Sequence, residues 1–241
     1  MKTGLPSALS AVICSLAIAL CFVPFLFLGF KKVRQVNTYK VLGIYWLLNG
    51  LVNLPHIAPI QQAGIRNFFT RFSDWYDLAD APLMLLVFAL ASTGKWRKQL
   101  LLVLSGLVAG EAIFLLAKGY KYCWPVIIFI GVLLVLVYSV IGLWQFFKQM
   151  EHDRFENSMV FVYAALIFAY GTYLIIFLLS YLPKSTNGYD LQDSYLMYYI
   201  SLALAAVLTC AGIWSYGLRS RKKAKAKAGG SFNPRYSSSS S

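Results

Sequence analysis

Four carboxylates lie within or beside long apolar stretches of this sequence, where charged side chains are rare. Asp74, Asp77 and Asp80 recur every third residue, so a helix carries them along one side. Glu111 lies well inside a later apolar run. A carboxyl in such a place acts as a protonated hydrogen-bonding group, as the partner of a basic side chain or His56, or as a proton carrier.

Other polar side chains recur at helical spacing in three further apolar runs. Two asparagines and a histidine share one helix face in the first, and tyrosines cluster in the last two. These groups either form hydrogen bonds between helices and an aromatic belt, or they line a polar cavity. We predict a cavity above an apolar inner half. Its predicted ligand- or proton-binding residues are Asn49, Asn53, His56, Asp74, Asp77, Asp80, Glu111, Tyr170, Tyr173, Tyr198 and Tyr199.

The composition indicates which elements position these groups. Apolar residues make up 59% of the 241 residues and charged residues only 13%, against about 25% charged in a typical soluble domain. The apolar runs are continuous rather than alternating, which is typical of membrane helices and not of a β-barrel. The sequence therefore predicts an all-α integral membrane protein.

The hydropathy pattern predicts a bundle of seven transmembrane helices in one domain, residues 1–218, followed by a basic, serine-rich, disordered cytoplasmic tail, residues 219–241. The predicted spans are 5–30, 41–60, 75–91, 100–116, 124–147, 159–182 and 194–216. Pro55 and Pro59 should loosen or end the second helix at its outer end.

The distribution of basic residues predicts the orientation. When the loops are assigned alternately to the two sides, 16 of the 22 Lys and Arg residues fall on one side. The positive-inside rule then predicts an outside N-terminus and an inside C-terminus, in a multi-pass protein of the cell membrane. The net charge of +13 is explained by topology and anionic lipid, so no nucleic-acid partner is expected. The predicted contacts with anionic inner-leaflet lipid are Arg219, Arg221, Lys222, Lys223, Lys225 and Lys227.

Several kinds of chemistry lack the residues they need. The two histidines, His56 and His152, are far apart in sequence, and the four cysteines form no CxxC pair, so we expect neither a metal site nor a disulfide framework. The sequence contains no GxSxG, HExxH or phosphate-binding loop motif. An enzyme is accordingly the last of the expected functions.

One stretch resembles a known family. Arg71-Phe72-Ser73-Asp74-Trp75, followed by Pro82 and a string of leucines, is similar to the third helix of microbial rhodopsins. The resemblance implies a seven-helix fold with Arg71 as an outer-half arginine and Asp74 as a counterion. The predicted seventh helix contains no lysine to form a Schiff base, so covalent retinal is not expected, and neither is another cofactor.

These patterns favour a membrane protein that binds or senses a small ligand or a proton in its outer half. A proton or cation transporter or channel is the second interpretation, but it needs polar groups through the inner half as well. A structural subunit of a larger complex, with a protein partner or as a homo-oligomer, is the third. In that case the polar groups would only join helices.

Overall fold

The computed structural model describes residues 5–56, 62–181 and 191–229. The described residues contain helices and no β-strand. In chain order the helices are α1 (Leu5–Leu26), α2 (Lys31–Arg34), α3 (Asn37–Asn53), α4 (Ala63–Ala91), α5 (Gly94–Lys118), α6 (Tyr120–Lys148), α7 (Arg154–Tyr181) and α8 (Leu191–Gly229). Short 3-10 turns, Phe27–Gly29 and Leu54–His56, follow α1 and α3.

Within the described ranges, five helices are long and apolar enough to cross a membrane, which indicates a multi-pass membrane protein. These segments are Leu9–Gly29, Gly94–Lys118, Pro125–Lys148, Arg154–Leu178 and Leu196–Gly217. They match the first and the last four of the predicted spans. The coarse prediction of an all-helical membrane protein is therefore confirmed.

The second and third predicted spans are also helices, but α3 and α4 do not meet the same length and composition limits. α3 has only 17 residues, and it ends at Asn53, where a 3-10 turn that includes Pro55 begins. Any 18 consecutive residues of α4 include Asp74, Asp77 and Asp80. α4 also begins at Ala63, well before the predicted start at 75, because it includes the polar segment with both arginines.

Six of the helices form a closed ring. α3 packs between α1 and α4, α6 packs between α4 and α7, and α8 packs against both α7 and α1. α5 lies outside this ring against α4 and α6, and its only buried residues are Leu100 and Glu111. The core is built mainly from apolar side chains of the six ring helices, including Trp46, Leu85 and Leu166, and Leu100 of α5 joins it.

Local sequence explains two of the connections. Gly119 alone joins α5 to α6, with φ +78° and ψ 161°, a conformation that is essentially restricted to glycine. At the start of α7 the Glu156 amide donates to Asp153 Oδ1 over 2.8 Å, and the Asp153 amide donates to Glu156 Oε2 over 3.1 Å. This reciprocal pair is a capping box, which satisfies two amides that a helix start leaves without partners.

The last helix extends past the predicted boundary of the membrane domain. α8 continues to Gly229 and so includes the basic segment from Arg219 to Lys227, where the sequence predicts the start of a disordered tail. Residues 230–241 of that tail, and the side chains of its six predicted lipid-binding residues, lie outside the described residues.

A polar chain of hydrogen bonds joins α3, α7 and α8. It lies near the start of α3, at the opposite end of that helix from Asn53. Tyr39 Oη of α3 donates to Ser158 Oγ of α7 over 2.7 Å, and Ser158 Oγ donates to the Gly212 carbonyl of α8 over 2.8 Å. Tyr39 and Ser158 are both fully buried. Neither residue is predicted from the sequence as an interhelical contact.

We expect Ser158→Ala to destabilise the protein more than Tyr39→Phe does. The alanine removes both hydrogen bonds and leaves the buried Tyr39 hydroxyl without a partner, whereas Ser158 still donates to Gly212 in the phenylalanine variant. The expected losses of unfolding free energy are about 2 kcal/mol and about 1 kcal/mol. Denaturant unfolding in mixed micelles measures both losses. Equal losses in the two variants would contradict the arrangement in which Ser158 both accepts a hydrogen bond from Tyr39 and donates one to Gly212.

Candidate functional site

Asp80 accepts hydrogen bonds from two tyrosines. Tyr170 Oη of α7 donates to Asp80 Oδ2 over 2.7 Å, and Tyr76 Oη, one helical turn before Asp80 in α4, donates to Oδ1 over 3.1 Å. Tyr170 Oη also lies 3.4 Å from Tyr45 Oη of α3, where either hydroxyl can donate. Three helices therefore meet at one carboxyl group through phenol hydroxyls.

The same chain of hydrogen bonds continues from Tyr76 along α3. Asn49 Nδ2 donates to Tyr76 Oη over 3.0 Å, and Asn53 Nδ2 donates to Asn49 Oδ1 over 3.0 Å. Tyr199 Oη of α8 lies 3.4 Å from Asn53 Oδ1 as a donor. A continuous network thus joins α3, α4, α7 and α8, with Asp80 as its only charged member among the described residues. We call these seven side chains the Asp80 network: Tyr45, Asn49, Asn53, Tyr76, Asp80, Tyr170 and Tyr199.

The local fold explains the order of this network. Tyr45, Asn49 and Asn53 are four residues apart, so α3 stacks them on one face, and all three are buried. Close packing of α4 on α6 occurs one residue after Asp80, where a Cβ on Gly131 would lie 2.7 Å from Ala81 Cβ. The absence of a side chain at Gly131 lets α6 approach α4 beside the carboxyl.

A cavity of about 80 Å³ adjoins the network. Its walls come from α3, α4, α5, α6, α7 and α8. They include five tyrosines, Tyr45, Tyr76, Tyr170, Tyr173 and Tyr198, and three carboxylates, Asp77, Asp80 and Glu111. No lysine, arginine or histidine is among the described residues that line it. The cavity is far smaller than the roughly 300–1,000 Å³ of a site for a drug-sized ligand.

Glu111 reaches this cavity from the peripheral helix α5. It is 8% exposed, and within the described part of the chain it has no hydrogen-bond or ion-pair partner. Asp77 lines the same cavity from α4. Asp77 and Glu111, which were predicted to share the outer half with Asp80, therefore line the same cavity as Asp80.

The remaining predicted residues fall into three groups. Asn49 is in both the network and the wall, and Tyr173 and Tyr198 are in the wall. Asn53 and Tyr199 belong to the network but do not line the cavity. Asp74, which the rhodopsin resemblance selects, is partly exposed and does not line the cavity, and the side chain of His56 lies outside the described residues.

Sequence reasoning missed Tyr45 and Tyr76. Each lies four residues before a residue that was predicted, Asn49 and Asp80 respectively, so each shares its helix face. That spacing was an available signal, but buried tyrosines in apolar runs are usually explained by core packing.

A second cavity, of about 380 Å³, lies where α4 ends, α5 begins, α6 ends and α7 begins. Its walls carry polar groups such as Thr93, Gln145 and Lys148 together with Trp96 and Tyr163. Between the residues of the Asp80 network and those of this cavity, α4 carries the fully buried Met84 and Leu85, and α7 carries the fully buried Leu166.

Comparison with protein-family models, with curated proteins and with solved structures finds no match to this chain.

Proposed function

We propose that this chain is a seven-span membrane sensor in which Asp80 takes up and releases a proton. Its N-terminus lies outside, and the Asp80 network lies in the outer half. The observation that carries the proposal is the convergence of Tyr76 and Tyr170 on one carboxyl group at the wall of a polar cavity. Two other carboxylates, Asp77 and Glu111, line the same cavity, and they are the other charged groups among the described residues of its wall.

The topology of the proposal is supported by the ring of helices. α3 and α4 complete the ring between α1 and α6, so they cross the same layer as the five apolar helices. The 17 residues of α3 span about 25 Å at 1.5 Å per residue, close to the roughly 30 Å of the hydrocarbon core. The polar side chains of α4 are accommodated because Asp77 and Asp80 line a cavity rather than facing lipid.

Protonation of Asp80 changes which groups in the network donate. As a carboxylate, Asp80 only accepts, and both tyrosines donate to it. A proton on Oδ2 turns that oxygen into a donor towards Tyr170, and the Tyr170 hydroxyl then donates to Tyr45, its other neighbour at 3.4 Å. One proton thus reverses the direction of the hydrogen bond between α4 and α7, and it makes Tyr170 of α7 the donor to Tyr45 of α3.

The helices that respond also form the second cavity. Tyr170 and Tyr163 are two turns apart on α7, about 10 Å along the helix axis, and Tyr163 lines the second cavity. α4 reaches the same cavity at Ala91. A shift of α7 relative to α4 at Asp80 would therefore change the shape of the inner end, which is the output of the proposed sensor.

An observation favours sensing over conduction. Along α3 the fully buried Leu42 comes between Tyr39 and Tyr45, and along α7 the fully buried Leu166 comes between Ser158 and Tyr170, which indicates an apolar layer between the polar chain and the Asp80 network. A proton path through the bundle would have to cross this apolar layer, whereas a sensor needs only movement of the helices on either side of it.

Infrared difference spectroscopy between neutral and acidic pH tests the proposal. We expect the purified protein in lipid nanodiscs to show the C=O stretch of a newly protonated carboxyl in acid. Asp80→Asn should lose the component of this band that comes from Asp80, while the other carboxyl groups still contribute. Asp74→Asn, on the same helix but outside the cavity wall, is the matched control and should retain that component. An Asp80→Asn spectrum that keeps the component would refute Asp80 as the proton site.

A further inference from the structure

The peripheral helix α5 buries a carboxylate that no other described residue pairs with. Of its 25 residues only Leu100 and Glu111 are buried, and Glu111 is 8% exposed. No hydrogen bond or ion pair reaches its carboxylate within the described residues. A carboxylate with so little exposure is costly unless water or a ligand satisfies it, and this one lines the cavity beside Asp80.

The charges around the cavity restrict what it can hold. Glu111, Asp77 and Asp80 all line it, and no basic side chain is found among the described lining residues. An anionic ligand would meet three carboxylates, so it is excluded by repulsion. A cation would be stabilised by the same groups.

The aromatic walls favour an organic cation over a metal ion. Five tyrosines line the cavity, and Tyr173 and Tyr198 make an edge contact with ring centroids 6.4 Å apart. Aromatic faces attract ammonium groups, and the phenol oxygens accept their N–H bonds. Among the described residues no group of three or more His, Cys, Asp or Glu side chains is placed to hold a metal ion.

The size of the cavity limits the cation to a few non-hydrogen atoms. One water molecule needs about 10–15 Å³ of the volume that is open to its centre, so the cavity's volume of about 80 Å³ has room for a few waters or for a short alkylammonium. Larger quaternary ammonium ions with longer chains would not fit.

We infer that this cavity binds a small primary ammonium ion between Glu111 and the Asp77–Asp80 wall, with tyrosine rings around its carbon atoms. The inference deepens the proposed function, on which it rests for the use of the same cavity, and it names a ligand that competes with the proton for the carboxylates. Its own evidence is the buried, unpartnered Glu111 and the aromatic lining.

Isothermal titration of methylammonium chloride into the full chain in nanodiscs tests the inference. We expect saturable binding of methylammonium, no binding of tetraethylammonium because of its size, and none of sodium at equal ionic strength. Glu111→Gln should weaken methylammonium binding by at least about tenfold, since it removes one charge of a desolvated pair. Glu151→Gln, which makes the same change at an exposed position, is the matched control and should bind like the wild type.

Each outcome decides the matter. Absence of methylammonium binding to the wild type, equal binding of tetraethylammonium, or unchanged affinity in Glu111→Gln overturns the inference, and the first two need no variant to fold. If methylammonium fails to bind while the Asp80 infrared band is present, only the ammonium ligand is refuted. If methylammonium binds with the expected selectivity while the band is absent, the ligand stands and the proton at Asp80 is refuted.

Discussion

Removing both tyrosine hydroxyls from Asp80 should destabilise the protein by about 3 kcal/mol, because hydrogen bonds to a charged group contribute about 1.5–3 kcal/mol each and bonds between membrane helices lie at the low end of such ranges. Tyr76→Phe and Tyr170→Phe each leave one carboxylate oxygen without its donor. The double variant leaves both oxygens without one. Tyr76→Phe also removes the acceptor of Asn49 Nδ2, so it should cost more than Tyr170→Phe.

Denaturant unfolding in mixed micelles at neutral pH gives these free energies. Tyr138→Phe is the matched control, because Tyr138 is partly buried and its hydroxyl has no hydrogen-bond partner in the described part of the chain. In an Asp80→Asn background the two tyrosine substitutions should cost less, since the acceptor is then neutral. If the double variant were as stable as Tyr138→Phe, the Asp80 network would not hold the helices together.

Gly212→Leu should also cost about 3 kcal/mol, at the upper end of the usual range for overpacking. A Cβ at Gly212 would lie 2.7 Å from the Ser158 carbonyl oxygen and 3.1 Å from Phe161 Cβ. Both are atoms that cannot rotate away, so α7 and α8 must separate. That separation would also lengthen the hydrogen bond from Ser158 to Gly212.

Gly217 on the same helix provides the comparison. A Cβ at Gly217 meets nothing within 4 Å, so Gly217→Leu should change the unfolding free energy by less than about 0.5 kcal/mol. The midpoint of denaturant unfolding, measured for both variants under identical conditions, decides the prediction. Equal midpoints would show that α7 and α8 do not pack as closely as described.

The long apolar runs were sufficient to predict the helices, because in lipid a backbone must satisfy its own hydrogen bonds. The runs did not predict the start of α4 at Ala63, since Arg66 and Arg71 interrupt the hydropathy signal although the helix continues through them. They also did not predict α8 beyond Tyr216, because the alanines and lysines of the tail have high helix propensity but low hydropathy.

For the site, spacing along one helix was informative and pairing between helices was not. Asp77, Asp80 and Glu111 were predicted as candidates from their apolar context, and all three line one cavity. Tyr170 was predicted, but its contact with Asp80 joins residues 90 apart in sequence, which no periodicity reveals. Selecting Asp80 over Asp74 likewise required knowing which side of α4 faces the ring.

The position of α5 outside the ring has a consequence for how the bundle opens. Among the described residues α5 packs mainly against its two neighbours in sequence, α4 and α6, and none of the hydrogen bonds of the Asp80 network involves it. Elements with few buried contacts are the first to open in local unfolding. Amide hydrogen exchange should therefore be fastest in α5 among the apolar helices, and its departure would open the cavity sideways to lipid and take Glu111 with it.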